Sequence, residues 1–340
     1  MPTLLILLAG CSIVQGLLND PKKALAEADA KLAAGDLAGA TALYDEAAKK
    51  APTNVDAASG AAYAHLLAGD TGTADKFLAA AEAGAGPRAG EIKMRRALVA
   101  MKGGDLDKVK EYATASGTPA GKLLAAEVNL ADGDRDAAKA LLEGVQGEAG
   151  AVGDTAKAYL DLMNDTNPLV AGLSEAQALW ALGQRPIAVR SVEDLVKSYA
   201  ENREDGAEQL VLWAGRAVSV GETAIATNLL DAVTVPPAGM GWRVQATRAM
   251  VLCGEGNGKE CIEKLDSIQP ISPADGYADA RVTAAVLISE KDSDAAKRLL
   301  EGQTGDAAAR ALAALGDSAG ATAAAADPVL KAQFTAASGG

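Results

Sequence analysis

The chain has 340 residues and a net charge of −13, with 49% hydrophobic, 23% charged and only 3% aromatic residues. That apolar share is enough to bury a substantial core and excludes global disorder. The acidic balance is spread along both halves, so the field repels phosphates and anionic head groups and argues against nucleic acid as a partner.

Alanine is abundant, β-branched residues stand singly, and no stretch alternates apolar with polar residues for long. Helices throughout, and no sheet, are the expectation.

In chain order, the sequence opens MPTLLILLAGC. The apolar run from Leu4 to Ala9 is too short to span a bilayer as a helix, and it has the character of a processing signal. Leu8-Ala9-Gly10-Cys11 resembles the bacterial lipobox, in which the cysteine thiol is lipidated and becomes the first mature residue. Ser12 follows, where aspartate is associated with inner-membrane retention. The resemblance implies a signal peptide over 1–10, a lipid anchor at Cys11, a tether over 11–20, and a place on the periplasmic face of the outer membrane. The plainer alternative is the hydrophobic start of a buried helix.

From Pro21 to Pro87 the sequence states one helical hairpin twice. Gly35-Asp36 returns as Gly69-Asp70, Ala40 as Ala74 and Ala47 as Ala81, each 34 residues on. Glycine just past a helix accepts the left-handed conformation that ends it, and the following aspartate can cap the next helix. Alanine lets two backbones approach, while Tyr44 and Leu78 supply larger knobs. The 34-residue period resembles the tetratricopeptide repeat, which implies an all-α, right-handed α-solenoid of stacked helical hairpins. A third hairpin turns at Gly104-Asp105 and a fourth at Gly133-Asp134.

Gly144 to Gly153 holds four glycines without helical pattern and is read as a joint between solenoid halves, 21–145 and 146–340. Beyond it a helix over 154–164 precedes the turn at Asn167-Pro168. Further turns fall at Gly183-Gln184, Gly221-Glu222, Gly254 to Gly258, Lys291-Asp292 and Gly316-Asp317. The small residues expected after them include Ala188, Ala226, Ala296 and Ala321. The signature aromatics of the repeat are mostly missing, with Ala24 and Ala58 where tryptophan is common and Lys31 and His65 where tyrosine is common.

Three motifs carry less than they suggest. Gly316-Asp317-Ser318-Ala319-Gly320 matches Gly-x-Ser-x-Gly, but a nucleophile elbow needs a strand before the serine, and an alanine-rich helix precedes it. Asp132, Asp134, Asp136 and Glu143 have calcium-loop spacing, yet Ala137 stands where the loop needs glycine. Gly254 to Lys259 lacks the remaining residues of a phosphate loop. Cys253 and Cys261 flank that glycine-rich turn, where positions of a hairpin face each other, so a disulfide is expected, with two buried free thiols as the alternative. Trp180, Trp213 and Trp242 lie in first helices and are read as core or groove wall.

Tetratricopeptide proteins usually bind in a groove lined by each first helix. Carried over by register, the resemblance places Lys22, Leu25, Asp29, Leu32 and Ala33 there from the first hairpin, and Asp56, Ser59, Tyr63, Leu66 and Leu67 from the second. Leu25 and Asp29 stand where the family's carboxylate clamp has lysine and asparagine, so an apolar or basic segment suits this groove better than an acidic chain end. The resemblance implies a tethered scaffold that binds an envelope protein or peptide and assists assembly of an outer-membrane protein, pilus or secretion channel. Regulation of a cell-wall enzyme is the alternative. No nucleophile, base and orienter coincide, so neither catalysis nor a cofactor is expected.

Overall fold

The computed structural model describes residues 21–338. Among them are 20 α-helices and no strand. The chain divides into two compact units, Met1–Val128 and Asn129–Gly340, and each is an α-solenoid of hairpins whose helices pack on their sequence neighbours.

In unit 1 the hairpins are α1 (Pro21–Ala33) with α2 (Leu37–Lys50), α3 (Val55–Leu67) with α4 (Thr71–Glu82), and α5 (Ala89–Lys102) with α6 (Leu106–Ser116). The division falls inside α7 (Pro119–Ala131). Unit 2 continues with α8 (Arg135–Glu143), α9 (Ala151–Met163), α10 (Pro168–Ala181), α11 (Arg185–Ser198), α12 (Ala207–Ser219) and α13 (Thr223–Asp231). It ends with α14 (Gly241–Glu255), α15 (Gly258–Ile268), α16 (Ala274–Ile288), α17 (Ser293–Leu300), α18 (Asp306–Ala314), α19 (Ser318–Ala324) and α20 (Pro328–Ser338).

The turns show why Gly-Asp recurs. Gly35 and Gly69 have φ of 79° and 81°, a conformation glycine adopts without strain. The next residue then serves both helices. The Asp36 N–H donates back to the Lys31 carbonyl at 2.9 Å, closing the first helix, while its carboxylate accepts from Gly39 N–H at 2.8 Å, opening the second. Asp70, Asp105, Asp134, Asp292 and Asp317 cap in the same way. Gln184, Glu222 and Asn257 keep the backward N–H bond of the turn without the side-chain cap. The apparent hydrolase and calcium motifs are thereby accounted for, since Asp317 caps α19 and Asp134 caps α8.

Five residues beyond most of these turn glycines, Ala40, Ala74, Ala138, Ala188, Ala226 and Ala321 are fully buried, as is Ala296 after the Lys291-Asp292 turn. Val109 and Cys261 take the same position in the remaining hairpins and are equally buried. Small side chains there let paired helices approach, and larger neighbours such as Tyr44 and Leu78 fill the space left. In unit 2 a single apolar cluster runs from Leu169 to Ala325.

The glycine-rich stretch at 144–153 is not where the units divide; it lies within unit 2. Two of its four glycines have identifiable work: a Cβ on Gly153 would sit 2.0 Å from the Glu148 carbonyl oxygen, and Gly150 has φ of 78° where α9 begins. The tight turn lets α9 begin at Ala151, three residues ahead of the sequence expectation.

Cys253 on α14 and Cys261 on α15 are joined as a disulfide, with Cα atoms 5.4 Å apart. Both are fully buried. Because the bridge closes so short a loop it removes little chain entropy, and reducing it or replacing both cysteines by alanine should lower stability by about 2 kcal/mol at most, read by urea melts with and without reductant.

Candidate functional site

The first helices of unit 1 form a groove of about 560 Å³. Leu25, Asp29 and Leu32 line it from α1, and Asp56, Ser59, Tyr63 and Leu66 from α3. Those residues project together because they recur at three- and four-residue steps along each helix. Leu67, expected in the same set, does not line the groove; it is exposed beyond the wall. Lys22 and Ala33 are exposed and likewise lie outside the lining. Cys11, the expected lipidation site, falls outside the described residues.

The groove also has a third wall, from Arg95, Leu98 and Val99 of α5, and a floor from Tyr44 and Leu78 of the second helices. The α5 wall was legible in principle: the turn glycine moves 35 residues from Gly69 to Gly104, and the same step carries Tyr63 onto Leu98. Tyr63 and Leu98 are 53% and 41% exposed, so two large apolar side chains face the opening without cover. Solvent exposure of paired large apolar groups in one concavity is the pattern of a binding surface rather than of scattered surface residues.

Tyr44 shapes the floor. A Cβ on Gly60 would lie 2.4 Å from its ring, so glycine at that place lets the tyrosine pass beneath α3. Its hydroxyl donates to the Asp29 carboxylate, and burial, then that bond, pushes the phenol well above its ordinary value. Both aspartates expected in the groove are therefore already engaged: Asp29 by Tyr44, and Asp56 by Arg88 Nη1 at 2.8 Å. Arg88 also donates to Glu91 at 2.7 and 3.0 Å, and Glu91 accepts from Arg95. The rim is a chain of alternating charges around an apolar floor, and a ligand must offer apolar surface first.

His65 does not enter the groove. Its Nε2 lies 3.0 Å from an Asp45 oxygen and its ring stacks on Phe77, 5.7 Å between centroids, fastening α3 to α2 and α4. In unit 2, Trp213 is core at 2% exposure, while Trp180 and Trp242 are half-buried.

No helix among the described residues is long and apolar enough to cross a membrane. Compared with known proteins, the sequence matches no family model and no curated protein. The fold and the groove thus define the class, an all-α hairpin solenoid with an apolar concave site in unit 1.

Proposed function

We propose that this chain is a lipid-anchored scaffold of the tetratricopeptide-like kind, held at the periplasmic face of the outer membrane, whose unit 1 groove captures an apolar or amphipathic segment of an envelope protein during assembly of a larger complex. One observation carries the binding part of this reading. Leu25, Leu32, Tyr63, Leu66 and Leu98 converge from three successive first helices on one open groove. Helix-in-groove recognition uses such rows of apolar pockets, and the mixed-charge rim gives a partner polar contacts for orientation. The lipobox-like Leu8-Ala9-Gly10-Cys11 supports the anchor.

Replacing Tyr63 and Leu66 together by alanine should weaken partner capture from membrane extract by about 1 to 3 kcal/mol, a loss of roughly fivefold or more. Circular dichroism and the melting temperature must stay at wild-type values for the result to count. A folded double variant that retains its partners rejects the groove. For the anchor, a palmitate analogue should label the wild type and not Cys11→Ser, and equal labelling of the two refutes lipidation.

A further inference from the structure

Counted by unit, the charge of the chain is uneven. Residues 21–128 carry 14 basic and 14 acidic side chains, whereas residues 129–340 carry 18 and 30. Unit 2 thus holds nearly all of the negative charge, and its field favours a cationic partner over an anionic one.

In one place that charge borders a cleft. Helices α9, α10 and α12 line a groove of about 710 Å³, within the size range of pockets that hold ligands. Asp154, Asp161 and Asp165 border it from α9 and the residues that follow. Their steps of seven and four residues place them along one face. All three are exposed, and among the described residues none is in an ion pair; Asp165 accepts from the Asn167 N–H at 2.8 Å. Lys157, the one basic residue of α9, does not line the cleft and pairs with none of them. The unit 1 groove is built differently, since its rim carboxylates Asp56 and Glu91 are matched by Arg88 and Arg95.

The rest of the lining is uncharged. Leu162 and Val170 give it apolar surface, and Gln177 of α10 and Gln209 of α12 give it two half-buried amides. Gln209 has no hydrogen-bond partner among the described residues, and Gln177 engages only its Oε1, on Arg216 at 2.6 Å. Both therefore keep amide groups able to pair with a peptide backbone. Asp154 and Asp161 stand about 10 Å apart along the helix axis, too far for one cation to bridge. A ligand that meets both needs at least two positive groups on a spacer, which a peptide supplies and a metal ion does not.

We propose that this cleft of unit 2 is a second docking surface, for a basic peptide segment whose lysine or arginine side chains meet Asp154, Asp161 and Asp165 while apolar residues between them rest on Leu162 and Val170. Charge complementarity carries the choice of occupant: the cleft offers three unneutralised carboxylates in a unit of strongly negative field. The same field speeds the encounter and turns acidic segments away.

The probe is a short peptide alternating lysine and leucine, titrated calorimetrically into the full chain at low and high salt, with a glutamine-leucine peptide as the neutral control. The lysine peptide should bind saturably and more weakly in salt, and the neutral one should give no saturable heat. Asp154→Asn/Asp161→Asn/Asp165→Asn changes only exposed residues and should weaken binding by about tenfold or more with an unaltered melt. Glu255→Gln/Asp275→Asn/Asp294→Asn removes as much charge from exposed positions outside the cleft lining, and should cost about twofold or less. The Tyr63→Ala/Leu66→Ala chain should bind the probe as the wild type does, which separates this surface from the unit 1 groove. Equal losses in the two charge variants would show attraction to the field alone and overturn the proposal. So would equal binding of the neutral peptide, loss of binding in the Tyr63→Ala/Leu66→Ala chain, or no saturable response. Spermidine binding to the cleft as tightly as the peptide would overturn it in favour of a small polycation.

Discussion

Trp213→Ala is expected to destabilise unit 2 by about 3 to 5 kcal/mol, the range for truncating a fully buried aromatic side chain. Trp213 is 2% exposed and sits in the apolar cluster that runs through most of unit 2. Its neighbours on α12, Ala214 and Ala217, are too small to move into the void. The loss has a second part, since Trp180 would lose its edge-to-face partner and Arg216 the nearer of its two indole faces. Trp180→Ala, at a half-buried position, should cost clearly less. Urea unfolding followed by circular dichroism measures both. A Trp213→Ala chain as stable as the Trp180→Ala chain would contradict the packing described.

Leu78→Ala is expected to cost unit 1 about 2 to 5 kcal/mol. Leu78 is 1% exposed and clusters with Val55, Ala58, Ala62, Ala74 and Ile92. Where most surrounding side chains are alanine, the backbone would have to shift to close the cavity, so the cost should fall in the upper half of that range. The same leucine floors the groove. Partner capture should therefore fall along with the midpoint of unfolding, whereas Tyr63→Ala/Leu66→Ala should reduce capture alone. A Leu78→Ala chain that melts as the wild type would show that the hairpin closes without this knob.

How far the sequence was legible follows from the local character of the signals. Gly-Asp at 35, 69, 104 and 133 marks turns because one residue type supplies the left-handed conformation and the next both backbone closure and cap. Those needs are met within about six residues, so sequence alone shows them. Gln184 and Glu222 hold the same turn without a cap, and spacing alone located them. The groove residues of α1 and α3 were placed by register from a resemblance, and the helices bring them together, Lys22, Ala33 and Leu67 excepted.

What sequence did not show depends on contacts between distant segments. That Asp29 is held by Tyr44, and Asp56 by Arg88, leaves neither groove aspartate free for a basic segment. The stretch 144–153 read as a joint between solenoid halves, since residue type alone does not distinguish a glycine of a linker from one, Gly153, that must pass close to Glu148. The group of Arg185, Trp180, Arg216 and Trp213 joins residues from three helices, and no periodicity announces it.

The central claim is that the unit 1 groove holds a partner in the cell envelope, and crosslinking from inside the groove tests it most directly. A photoreactive amino acid would replace Tyr63 in one strain and Leu98 in another, with Val235, 75% exposed in unit 2, as the control position. After irradiation of living cells and mass spectrometry, the account predicts the same envelope protein joined to both groove positions and not to the control. Adducts from position 235 with none from 63 or 98 would contradict it.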